Sequence, residues 1–242
     1  MNSLVALPEG QGADMNGDGK IDNSFGPLAD LLNPTLNGAV KDGGNILLFD
    51  MFLGEKPSVA FFRAIDANAK LDDNLTGDGE FLVPSEQFDV SCKPTSMFEN
   101  ARWENGRLVA KSEQWAFVIP HLGSIEFTRA GLDLEVAQDR SGYMGLFTGT
   151  WTTCGLTNIG FGSGTSFLDV LVNNFELAPD IDMDGDGLER VVGDGTRVIE
   201  CVDAQNNVIA KGSDCGCHPE MADGYSVAFD GTGVPATIVG TY

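Results

Sequence analysis

The stretch MFENARWENGRLVAKSEQWAFVI, residues 97–119, decides the fold class. Two runs rich in apolar and β-favouring residues, 97–103 and 107–119, flank Glu104-Asn105-Gly106. An Asn-Gly pair between such runs is the strongest short-range hairpin signal, because a tight hairpin turn needs two residues at positive φ. Working outward, residues 125–137 alternate in part: Leu132, Leu134 and Val136 fall on one face and Asp133 and Glu135 on the other. Residues 143–151 then pair with that run across a turn at 138–142. Upstream, 45–53 and 58–65 are apolar and separated by Gly54-Glu55-Lys56-Pro57, and 81–90 is a further strand candidate. Downstream, 197–202 and 207–211 form a hairpin, and 224–229 and 235–240 close the chain. Short strands at this density, among 31 glycines, specify a β-sandwich or barrel-like single domain that is all-β dominated.

Two helices are accessories to these strands. Leu28, Leu31, Leu32, Leu36 and Val40 recur at helical spacing over 27–40, where Pro34 predicts a kink or two short turns. Phe167, Leu168, Leu171 and Val172 mark a second helix over 166–173. Residues 1–24 read as an irregular leader that carries a first metal loop, and 25–242 as the β-rich domain, with a second metal loop at 180–194.

Charge narrows the function. The 242 residues hold 14 Lys+Arg against 36 Asp+Glu, a formal net charge of −22. Such a surface repels nucleic acid, whose binding rests on cations meeting phosphate, and it attracts divalent cations. General solubility or a saline habitat is the alternative cause. Against that being the whole explanation, eight of the acids lie between Glu176 and Glu200. No run approaches the 18 or so apolar residues of a membrane span, and the opening MNSLVALPEG is too short and uncharged for a signal peptide. Export with a signal already removed is the expectation, which places the protein outside the cell, at its surface or in the periplasm. The cysteines Cys92, Cys154, Cys201, Cys215 and Cys217 predict two disulfides and one free thiol, with Cys201 joined to Cys215 or Cys217.

The strongest chemical signal is a repeated loop. The first copy reads Asp14-Met-Asn16-Gly-Asp18-Gly-Lys20-Ile-Asp22 and the second Asp182-Met-Asp184-Gly-Asp186-Gly-Leu188-Glu189. Oxygen side chains at alternate positions wrap one hard cation, and the glycines permit the sharp turn. The backbone carbonyls of Lys20 and Leu188 supply a further ligand each. These loops resemble the calcium loops of EF-hands, dockerins and thrombospondin type 3 repeats. They depart from the EF-hand at the twelfth position, where Phe25 and Gly193 stand in place of a bidentate Glu. The remaining ligands are therefore expected from Asp22 and Asp30 in one site and from Asp180 or Asp194 in the other. Calcium is the expected ion. Residues 74–81 repeat the spacing with a single carboxylate among the first three ligand positions, Asp78, and read as a plain turn.

Three longer segments, Leu177-Ala-Pro-Asp180-Ile-Asp182, 222–229 and 234–240, resemble an uncharacterised group of exported proteins and lipoproteins from myxobacteria and related bacteria. That resemblance implies export and implies no reaction. The function expected from these readings is calcium-stabilised structure, adhesion, or binding of an extracellular glycan or surface protein. Two other classes compete with it. One is an extracellular carbohydrate-active hydrolase or lyase, using acids such as Glu126, Asp133 and Glu135. The other is a copper protein, using Cys215, Cys217, His218 and Met221 with His121 as a distant second imidazole. No Ser sits in a nucleophile elbow. Gly160-Phe-Gly162-Ser-Gly164 lacks the Lys of a phosphate loop and reads as a glycine-rich turn into the second helix.

Overall fold

The computed structural model describes residues 1–119, 123–160 and 164–242; His121 and residues 161–163 of the glycine-rich turn lie outside them. The decisive hairpin forms as read. β5 (Met97–Glu104) and β6 (Arg107–Ile119) meet at Glu104↔Arg107. Asn105 and Gly106 both take positive φ, 51° and 81°, as a type I′ turn requires. β7 (Gly123–Val136) and β8 (Tyr143–Thr152) continue the meander, with Val136 paired to Tyr143. Leu132 and Leu134 turn inward, while Asp133 and Glu135 face out against Arg107, whose Nε donates to Asp133.

The meander is the centre of one ten-stranded sheet. Its order runs from β1 (Ser3–Ala6) and β12 (Gly224–Gly233) through β8, β7, β6 and β5. It ends at β3 (Ser58–Asp66), β4 (Glu80–Val83) and β13 (Thr237–Thr241), while β2 (Ile46–Phe52) pairs with β3. All these pairings are antiparallel except β4 with β13. A second sheet of three strands holds β9 (Arg190–Gly193), β10 (Val198–Val202) and β11 (Val208–Lys211).

The large sheet curls over its own apolar face. Phe49 on β2 lies 5.2 Å, ring to ring, from Phe147 on β8. Four strands separate β2 from β8 in the hydrogen-bonded order, so a flat sheet would hold them about 24 Å apart. The ring contacts Phe61–Trp115 at 5.9 Å and Trp115–Phe147 at 5.7 Å belong to the same closure. An aromatic core inside a folded-over antiparallel sheet is the sandwich-like, all-β architecture that the strand pattern implies, with helices as additions.

Several details differ from the sequence reading. Residues 1–24 are not wholly irregular: β1 pairs with β12 from Ser3↔Thr232 to Ala6↔Phe229, and Leu4 is fully buried. Four residues are too few for periodicity to reveal. The candidate strand 81–90 shortens to β4, because Pro84 lacks an amide donor and a 3-10 turn over Ser85–Gln87 follows. α1 (Ala29–Lys41) is one helix that contains Pro34, and Leu31 on it stays 62% exposed while Leu28, Leu36 and Val40 are buried. A one-turn helix, α2 (Thr153–Thr157), extends β8 and is capped by the Thr152 side chain. The second expected helix is α3 (Phe167–Phe175), with a capping box between Ser166 and Asp169. Two disulfides form as the cysteine count implies: Cys201–Cys215, with Cα atoms 5.5 Å apart, and Cys154–Cys217, at 4.3 Å. Cys92 is free and exposed.

Candidate metal centre

Both Asp-rich loops fold on one template. In the first, Asp14 accepts from the Gly17 and Gly19 amides at 2.6 and 2.9 Å, and Asn16 Oδ1 accepts from the Asp18 amide at 2.9 Å. In the second, Asp182 accepts from the Gly185 and Gly187 amides at 2.6 and 3.1 Å, and Asp184 from the Asp186 amide at 3.4 Å. The glycines take positive φ in both, 84° and 86° in the first and 88° and 108° in the second. That conformation is free for glycine and strained for other residues, which is why Gly follows the ligand positions. Lys20 and Leu188 stand at the seventh position of their loops.

The two copies differ in what converges on them. The second gathers a non-local acid. Asp223, at the foot of β12, places a carboxylate oxygen with those of Asp182 and Asp184, all within 4.8 Å of one another. Asp223 is fully buried, and the neighbouring Glu189 is 2% exposed. The Glu189 amide donates to Asp223 Oδ2 at 2.7 Å, which fixes the two residues together. Asp223 Oδ1 and Glu189 Oε2 are buried without a protein partner. Burial of unpaired carboxylate oxygens is costly unless a proton or cation meets them. Accordingly burial, reinforced by Asp223, holds the Glu189 carboxyl up at about 8, and burial also raises Asp223. Asp186 is raised too, chiefly by its hydrogen bond with Asp184.

The first loop is more self-satisfied. Asp22 Oδ2 accepts from the Met15 and Asn16 amides at 2.6 and 3.2 Å, and its Oδ1 accepts from Asn16 Nδ2 at 3.3 Å. Asp18 lies 3.5 Å from Lys20 Nζ and accepts from the Lys20 amide. Asp14, Asn16, Asp18 and Asp22 thus share one loop, closed by the Ala13–Asp22 bridge, but they do not form a tight carboxylate cluster like the second.

The supplementary ligands expected from sequence fall elsewhere. Asp194 joins the β9–β10 turn, where it accepts from the Thr196 and Arg197 amides. Asp30 is exposed in the first turn of α1. Asp180 grips β12, accepting from the Ser226 amide at 2.7 Å and from its hydroxyl. The twelfth positions serve packing: Phe25 stacks on Trp151 at 5.6 Å, and a Cβ on Gly193 would lie 2.1 Å from Asn173 Oδ1. Asp223 is the acid that the structure adds to the second loop. No spacing rule reaches it, since it stands 41 positions after Asp182 and only the sheet brings it back.

The residues of the two competing readings have other partners among the described residues. Cys215 and Cys217 are both in disulfides, so neither offers a thiolate to copper, and Met221 is buried in the core. Asp133 and Glu135 share the Arg107 guanidinium. Residues 74–81 form the turn into β4, with Asn74 Nδ2 donating to Asp66. Comparison with protein-family models, curated proteins and solved structures finds no match for the chain.

Proposed function

We propose that this is an exported calcium-binding protein of the β-sandwich type, in which the ion is structural and the folded surface serves adhesion or the binding of a glycan or surface partner. One observation carries the reading: the carboxylates of Asp182, Asp184 and the buried Asp223 converge, and Asp223 Oδ1 and the neighbouring buried Glu189 Oε2 have no hydrogen-bond partner. A donor set made only of oxygen selects a hard cation, and an irregular loop with several carboxylates suits calcium better than magnesium, which demands near-ideal octahedral geometry and keeps its waters. Two disulfides support an oxidising compartment. No helix among the described residues is long and apolar enough to cross a membrane. The first loop, with the same backbone template and fewer free oxygens, is a second and weaker site.

Elemental analysis of the purified protein, followed by thermal melts during calcium titration with magnesium as control, tests this. Calcium should raise the melting temperature, with saturation on the order of 10⁻⁴–10⁻³ M, as in extracellular modules. A melting temperature indifferent to calcium would return both loops to ordinary turns.

A further inference from the structure

A groove of about 590 Å³ crosses the outer face of β5–β8 beside both Asp-rich loops. Ala13, Asp14 and Met15 of the first loop form part of its wall. Arg129, also in the wall, reaches the second loop: its Nη2 donates to the Met183 carbonyl at 2.7 Å and its Nη1 to that of Asp182 at 3.4 Å. Two irregularities in the sheet shape this place. The β5–β6 register shifts between Glu99 and Arg102, and the β7–β8 register between Thr128 and Gly131. Asn100 and Arg129 sit within these shifts at φ 52° and 47°, a strained conformation for a side chain as long as arginine. Bulges of this kind re-aim side chains, and both residues line the groove.

The groove is also electrically unlike the rest of the molecule. Among its described lining residues, Arg102, Lys111 and Arg129 stand against Asp14, Glu104 and Asp133, three charges of each sign. The whole chain has 14 cationic and 36 acidic side chains. Its lining also includes the small or polar Ser112, Gly131 and Thr148.

We propose that this groove binds an uncharged oligosaccharide. Guanidinium and carboxylate groups side by side donate to and accept from neighbouring hydroxyls, which is the pairing a sugar ring presents. An acidic polymer would meet the carboxylates of Glu104 and Asp133 in the groove and the field of a body carrying −22. An extended peptide would need an unpaired strand edge, yet β5, β6, β7 and β8 each have neighbours on both sides. The inference rests on the calcium reading at one point: an ion-ordered second loop holds the carbonyls that position Arg129.

Isothermal calorimetry on the full chain, with millimolar calcium, tests it against maltohexaose, cellohexaose, laminarihexaose and mannohexaose, with tetragalacturonate as the acidic control. At least one neutral sugar should bind saturably, with a dissociation constant below about 1 mM. Arg102→Ala combined with Lys111→Ala, both exposed, should weaken it about tenfold or more without changing the melting temperature or its calcium shift. Chelation should weaken binding several-fold through Arg129. Absence of binding by every neutral sugar, tighter binding of tetragalacturonate, or wild-type affinity in the double variant would each overturn the proposal. The two readings separate cleanly. A calcium shift without sugar binding rejects the groove alone. Sugar binding that the double variant loses, in a protein whose melting ignores calcium, rejects the metal centre alone.

Discussion

Replacing Glu189 by Gln separates the cost of the second loop's buried charge from the gain of neutralising it with an ion. Glu189 is 2% exposed, and its Oε2 has no protein partner. At pH 9, above the value of about 8 at which burial and Asp223 hold it, the carboxyl is ionised in the ion-free protein. Gln keeps the shape, can donate to Asp223, and removes the charge. Leaving a buried polar group unsatisfied costs about 1–3 kcal/mol. In chelator at pH 9, Glu189→Gln should therefore melt at least about 2 °C above wild type, taking about 2–4 °C per kcal/mol for a chain of this length. With calcium the difference should narrow. An ion about tenfold above its dissociation constant adds roughly 1.4 kcal/mol, or about 3–6 °C, to wild type. The variant, short of a ligand, should gain less than half of that from the second site. The assay is differential scanning calorimetry of both proteins with chelator and with calcium. Parallel curves, with the variant offset equally in both conditions, would refute the argument, because they would mean that Glu189 does not face the ion.

Three further outcomes follow from the same geometry. In chelator, wild-type stability should fall as pH rises from about 4.5 toward 8, since folded Glu189 keeps a proton that the unfolded chain has already released, and calcium should abolish this fall. Calorimetry at pH 7 in two buffers of different ionisation enthalpy should accordingly show release of roughly one proton per calcium bound at the second loop; a buffer-independent heat would contradict it. Asp186→Ala should remove more of the calcium-dependent melting shift than Asp18→Ala, because Asp18 already has Lys20 as a partner whereas the second loop stands against unpaired carboxylates; equal losses would mean that the two loops bind alike. Cys201→Ala with Cys215→Ala should cost about 3 kcal/mol on loop-entropy grounds for a separation of 14, and opening Cys154–Cys217, with a separation of 63, about 4 kcal/mol, both readable as denaturation midpoints.

The fold was legible where local rules act on short stretches. Asn105-Gly106 fixed a turn by backbone conformation, the Leu132–Leu134 alternation fixed a face, and cysteine arithmetic fixed the count of bridges. What escaped was set by contacts far apart in sequence. β1 exists because β12, more than 220 residues later, offers its edge, and the pairing of Cys154 with Cys217 depends on α2 lying under the last disulfide loop.

The candidate metal centre divides in the same way, and for a physical reason. The first half of each loop is local: a carboxylate followed by glycines closes on its own amides, so Asp14 and Asp182 make the same bonds without help from the rest of the chain. The last ligand position is not local here. In the second loop the chain leaves as β9 instead of a helix, and the twelfth residue is a glycine pressed against Asn173. A further carboxylate comes instead from Asp223, just before β12, because Ile181 bridges Gly224 and Asp180 grips Ser226. Those contacts set Asp223 beside Asp182 before any ion is considered. The first loop exits through Phe25 into the aromatic core, two residues after an Asn23 whose amide bonds the Leu7, Pro8 and Gln11 carbonyls, and the acid near it, Asp180, is already held by the Ser226 amide and hydroxyl. Sheet pairing thus adds a buried acid, Asp223, to the carboxylates of the second loop, and on that ground the site proposed there is the stronger of the two.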